Sequence, residues 1–225
     1  METRFRLTVL ALLGALVAVI WTFPRWYPLL NPNTVAVAFP DLELDVQDDF
    51  LLLPADVQRA YQRLRRGDAD DELEPQPALA LALLRARLLG IDLVAPDDVQ
   101  LAPIPDGAVT LRRGTFIQPN NDVTDLVRGA QGNVIIYQLP TGQRFLRLEN
   151  FTTTRAPDLH LVFTRNPDPY DKQGVRVDYI DAGELLYTVG TQTYSVPSGV
   201  DFAVYPILAL YSPTLNYVMS SATLR

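Results

Sequence analysis

The sequence predicts an all-β fold, an antiparallel β-sandwich or flattened barrel, preceded by an N-terminal transmembrane helix and a short α-hairpin. Three observations carry this expectation. From Gly107 onward, about nine short β-patterned runs recur roughly ten residues apart, with turn residues between them and no helical period. Before them, apolar residues recur twice at helical spacing, between Pro54 and Gly90. At the start, residues 7–23 carry no charge. The expected order is an anchor over residues 1–28, an extended tether over 29–53, a helical hairpin over 54–90, a linker over 91–106 and a β-domain over 107–225.

The anchor run holds about 17 residues, near the lower limit for a spanning helix. Arg4 and Arg6 precede it. Trp21, Phe23, Trp26 and Tyr27 cluster at its far end, where amphipathic rings favour the membrane interface. Pro24 and Pro28 stop the helix. A cleaved signal peptide is the competing reading, but it needs small residues at −3 and −1 soon after the apolar run. Ala36-Val37-Ala38 has that form and lies too far on, so an uncleaved signal-anchor is favoured. The basic end then stays in the cytoplasm. The expected product is a single-pass cell-membrane protein whose C-terminal domain is extracytoplasmic.

Residues 29–50 are rich in Pro, Asn and Asp and read as extended. Val57, Ala60, Tyr61 and Leu64 share one helix face, after Pro54 and before a basic last turn closed by Gly67. Residues 68–74 form an acidic turn. Residues 77–89 are a second helix with Leu81, Leu84 and Leu88 on one stripe, and the pair makes an αα-hairpin. Residues 91–106, with three prolines and four aspartates, read as a linker.

In the β-region, residues 109–111 and 114–117 are short runs, and Pro119-Asn-Asn-Asp122 is a turn. Residues 134–139 and 144–149 make a hairpin with a four-residue loop. Residues 159–164 follow. Runs at 175–180 and 184–189 flank Asp181-Ala-Gly183, and runs at 193–196, 202–211 and 217–222 complete the set.

Composition excludes several functions. Hydrophobic residues make up 48% of the 225, enough for a core. A net charge of −7 and a pI of about 4.7 leave no basic stripe for nucleic acid, so no nucleic-acid partner is expected. There is no cysteine, which removes disulfide frameworks, thiol redox centres and thiolate metal sites. His160 is the only histidine, so Ser/His/Asp catalysis rests on one residue. No phosphate-binding glycine loop, nucleophile elbow or His-Glu-x-x-His run occurs. The expectation is therefore no enzyme, no metal site and no cofactor of the chain's own.

A few residues are open to two readings. Asp158, just after a polar corner, either holds a cation with Glu149 or Asn150 or bonds to local backbone; the second is favoured. By period two, His160 shares a face with Asp158 and Val162, opposite Leu159, Leu161 and Phe163. That makes it a solvent-side or edge residue before a ligand. Asp168, Asp171 and Asp178 lack the calcium-loop pattern. Tyr137, Tyr179, Tyr187, Tyr194, Tyr205, Tyr211 and Tyr217 are expected mostly as core or cross-strand aromatics, although a surface cluster would suit sugar rings or a partner.

Six segments follow one another along the β-region: Gly114-Thr-Phe116, Leu146-Arg-Leu-Glu-Asn-Phe151, Pro157-Asp-Leu-His-Leu161, Asp181-Ala-Gly-Glu-Leu185, Gly190-Thr-Gln-Thr-Tyr-Ser-Val-Pro197 and Ser221-Ala-Thr-Leu224. In order and spacing, residues 107–225 resemble the DM13 domain, a small all-β module of extracytoplasmic and cell-surface proteins. The motif positions are Gly114, Phe116, Leu148, Asn150, Phe151, Pro157, Asp158, Leu159, Gly183, Tyr194 and Pro197, read as structural. The tether and hairpin are similar to those of bacterial membrane-anchored members. The resemblance implies electron transfer, partly because the family carries a cysteine in an Ile-Trp-Cys or Ile-Tyr-Cys setting near its end. Here the matching run is Ala209-Leu-Tyr-Ser-Pro213, with Ser212 at the cysteine position, and Ala156 stands where the family often has Gly. A hydroxyl neither becomes a thiolate at ordinary pH nor cycles to a disulfide. The expected function is a membrane-anchored extracytoplasmic binding or scaffolding module with a protein or glycan partner. The alternative, which the resemblance implies, is a component of an electron-transfer system with a bound cofactor.

Overall fold

The computed structural model describes residues 38–68, 73–116, 126–170, 174–175 and 178–225. The expected anchor, the first part of the tether, the turn at Pro119 and Asp171 lie outside them. Among the described residues no helix is long and apolar enough to cross a membrane. Asp41–Arg225 forms one compact unit.

A 3-10 turn, Leu44–Val46, runs into helix α1, Gln47–Leu52, so this part of the expected tether is helical rather than extended. Asp45, Asp48 and Asp49 sit in first turns, where the helix dipole favours them. Val46 and Phe50 are buried, and that burial outweighs the weak local signal. Helix α2, Ala55–Arg66, buries Val57, Ala60, Tyr61 and Leu64, the face its spacing predicts. Helix α3, Pro77–Leu89, packs on α2. It is apolar over most of its surface, so spacing does not choose a face. The buried residues are Ala80, Leu83 and Leu84, whereas Leu81 and Leu88 of the expected stripe are half-buried.

Residues 92–100 of the 91–106 stretch are tied to the β-domain. They contain the short helix α4, Asp97–Gln100, and Val94 pairs in parallel with Val189. Thr188 N–H donates to the Leu93 carbonyl at 2.8 Å, and Ala95 N–H donates to the Val189 carbonyl at 2.8 Å. Composition read this stretch as a linker; the backbone donors and acceptors at 188–189 make it part of the fold.

Eight strands follow among the described residues. They are β1 Val109–Phe116, β2 Ala130–Gln138, β3 Arg144–Thr153, β4 His160–Thr164, β5 Tyr179–Glu184, β6 Gln192–Ser195, β7 Ile207–Ser212 and β8 Tyr217–Thr223. They form two four-stranded antiparallel sheets, β1-β2-β3-β6 and β5-β4-β7-β8, a β-sandwich. The runs at 109–111 and 114–117 merge into β1 across a bulge between Thr110 and Arg112. Asp181-Ala-Gly183 lies inside β5 rather than between two strands, and residues 185–189 are not a strand. Gly183 has φ +117°, and beside it β5 carries an extra residue, Ala182, where its register with β4 shifts between Leu161 and Val162. A conformation that favours glycine serves a bulge here, not a turn.

The core lies between the sheets. Val134, Ile136, Leu146 and Leu148 from one sheet, and Leu161, Phe163, Leu208 and Leu210 from the other, are fully buried. Phe116 and Phe151 meet edge to face with centroids 5.7 Å apart, as do Phe163 and Phe202 at 5.9 Å. One side of the sandwich closes where Arg225 joins β1: Arg113 and Arg225 exchange backbone hydrogen bonds of 2.9 and 2.8 Å. Gly114 allows this approach, because a Cβ there would lie 2.8 Å from the Thr223 carbonyl oxygen. The corner after β3 is held by Arg155, which bonds both carboxylate oxygens of Asp92 at 2.7 and 3.1 Å and the carbonyls of Arg87 and Gly90 at the end of α3.

Candidate functional site

Ser212 ends β7, and Pro157-Asp158 leads into β4 beside it. The Ser212 side chain is 0% exposed. Its Oγ donates to the Pro157 carbonyl at 2.6 Å and accepts from Leu215 N–H at 3.3 Å. Asp158 has φ +54°, a left-handed conformation that Asp tolerates better than most residues. Its Oδ2 accepts from the Thr214 hydroxyl at 2.7 Å and from Thr214 N–H at 3.3 Å. The β7–β8 turn is thus buckled to the start of β4 by two side chains. Tyr211 extends the network, donating to Asn216 Oδ1 at 2.8 Å.

His160 stands on the face that period two assigns, with Val162 and across from Tyr211. Its Nε2 lies 3.1 Å from Asp158 Oδ1 and its Nδ1 lies 2.8 Å from Asp181 Oδ2. Asp181 is fixed in turn by Gly183 N–H, 2.7 Å from Oδ1. A neutral imidazole donates to one carboxylate only; a protonated ring donates to both. The Thr214 hydroxyl, with His160 beside it, holds the Asp158 carboxyl below the usual carboxylate range.

This arrangement braces three elements and supplies no catalytic pair. Both nitrogens of His160 face carboxylates, which leaves none to activate Ser212. Among the described residues, no group of three or more His, Asp or Glu is placed to hold a metal ion. Asp158 bonds Thr214 and His160, whereas Glu149 pairs with Arg147 at 3.3 Å on the other sheet. Asp168 caps Tyr170 N–H, and Asp178 pairs with Arg165 and accepts from the Tyr205 hydroxyl at 3.0 Å.

The remaining motif positions hold the scaffold. Phe116, Leu148, Phe151 and Leu159 are buried. Asn150, at φ +51°, lies within β3 where its register with β2 shifts. The Tyr194 hydroxyl donates to Gln192 Oε1 at 2.6 Å and accepts from Leu186 N–H at 2.9 Å, and burial pushes it up to about 12. The Pro197 carbonyl accepts from Arg144 at 3.2 Å. Tyr137 stacks on Phe145, Tyr179 meets Tyr211, and Tyr170 and Tyr217 lie against Arg128. Thr214 and Asp181 are the partners that residue-by-residue reading missed. Thr214 carries no local signal, and Asp181 looks like a turn residue until β4 is beside it.

The family described as electron transfer DM13 matches residues 123–224. The match covers β2 to β8 and begins after β1, so Gly114 and Phe116 precede it. No curated protein and no solved structure matches the chain.

Proposed function

We propose that this chain, whose residues 123–224 are a DM13 domain, acts as a binding or scaffolding module that an N-terminal helix holds at the cell membrane, outside the cytoplasm. The observation that carries the reading is Ser212. The hydroxyl of Ser212, the residue that the resemblance puts at the family's cysteine position, is fully buried and spent on the Pro157 carbonyl and the Leu215 amide. What is left for function is surface. Support for the anchor comes from the uncharged run at 7–23 with its basic and aromatic flanks.

Electron transfer is the second reading, favoured by the family's description. A thiol-based step does not fit these residues: none of the 225 is cysteine, and Ser212 is committed to structure. The reading therefore needs a bound redox group. The full chain, extracted from membranes in mild detergent, separates the two. The binding reading expects crosslinking in intact cells to recover one reproducible protein or glycan partner, and no visible absorbance that dithionite changes. A stoichiometric, reducible chromophore overturns it in favour of electron transfer. Recovery of the chain in the soluble fraction of lysed cells removes the membrane anchor.

A further inference from the structure

We propose that the groove where Arg225 joins β1 binds an anionic group, a carboxylate or a phosphate, between the guanidinium groups of Arg113 and Arg225. The two residues exchange both backbone hydrogen bonds, at 2.9 and 2.8 Å. That makes them a directly opposed, hydrogen-bonded pair, so their side chains leave the sheet on the same side, with Cβ atoms roughly 5 Å apart. Like charges directly opposed work against each other. A carboxylate between them usually resolves such a pair, yet among the described residues neither guanidinium has a hydrogen bond or ion pair. Both side chains are exposed.

The groove has the size and lining of a ligand site. Its volume is about 610 Å³, within the span of roughly 300–1,000 Å³ typical of small-molecule pockets. Beside the two arginines it is lined by Thr115, Asn133 and Thr223, which carry hydroxyl and amide groups, and by Ser221, whose hydroxyl donates to Tyr170 at 3.3 Å. Its one acidic residue, Glu149, is engaged with Arg147 at 3.3 Å, and Thr115 already donates to Asn133 at 3.3 Å. Two arginines thus line one groove in a chain of net charge −7. Two guanidiniums side by side suit the flat, two-oxygen face of a carboxylate or the oxygens of a phosphate. The strand backbones that carry them are locked by pairing, so binding has only the side chains left to order. The inference gives the binding reading a ligand class and rests on that reading for its purpose. An anion site with no partner at the membrane would leave the groove assigned and the module reading lost.

The test is calorimetric titration of the full chain in nonionic detergent at low ionic strength, with galacturonate, glycerol phosphate and neutral galactose as probes. Both anions are expected to bind saturably and galactose not at all, and the tighter anion names the source, acidic sugar or phosphate. Arg113→Gln or Arg225→Gln should each weaken binding at least about tenfold, and the double variant should abolish it. The double variant should melt no lower than the parent, because it removes a like-charge pair. Added salt should weaken anion binding to the parent chain, a readout that needs no variant. Absence of saturable anion binding, equal binding of galactose, insensitivity to salt or persistence of binding in the double variant overturns the proposal.

Discussion

Replacing Ser212 with alanine removes a hydroxyl that both donates to the Pro157 carbonyl and accepts from the Leu215 amide in a site without solvent. Two backbone groups lose a partner, so the variant is expected to lose about 1–2 kcal/mol in urea unfolding. An unchanged midpoint would mean the buckle contributes nothing. A cysteine placed at 212 inherits the same enclosure, so its thiol should react with a maleimide only in unfolded chains. Phe151 is 1% exposed and meets Phe116 edge to face. Phe151→Ala should therefore cost about 3–5 kcal/mol, measured as the drop in unfolding free energy. At this scale the sequence was informative about identity and poor about partners. The alternation of residues 159–163 places His160 correctly, but its carboxylates come one from the preceding corner and one from β5.

At the scale of elements, Arg155 decides how the end of α3 meets the corner after β3. It bonds Asp92 with two nitrogens and takes up the carbonyls of Arg87 and Gly90. Arg155→Met should lower stability by about 1–2 kcal/mol and raise amide exchange along α3 before it does so in the core strands. The same contact sets a pH dependence. The Arg155 guanidinium holds the Asp92 carboxyl below its ordinary range. Its contribution is complete above that range and is lost as pH falls through the lowered folded value. Asp92→Asn should flatten this acid limb of the stability profile; a profile identical to the parent's would contradict the assignment. The helices show why elements are only partly legible. In α2 the polar positions leave one face to bury, and the structure buries it. In α3 nearly every position is apolar, and contact with α2 selects Ala80, Leu83 and Leu84.

For the whole molecule, closure of the sandwich at Gly114 is the feature most open to test. A valine there would push its Cβ into the Thr223 carbonyl, 2.8 Å away, and into Leu224. Gly114→Val is expected to part the edge between β1 and the C-terminal strand and to cost about 2 kcal/mol or more. The observable is a lower melting temperature together with faster exchange of the Arg113 and Arg225 amides, against an unchanged β2–β3 hairpin. A variant as stable as the parent would mean that this edge yields without cost.

By itself the sequence determined that this chain makes short antiparallel strands, because side chains alternate with period two and turn residues interrupt them at short intervals. It also determined that no thiol chemistry is available, because no residue can supply it. Only the tertiary structure decided that Asp181 lies within a strand, that residues 92–100 dock on the β-domain, and that Arg113 meets Arg225. The reason is range. Alternation is set by neighbours along the chain, whereas contacts such as Ser212 with Pro157, 55 residues apart, exist only once both sheets are in register.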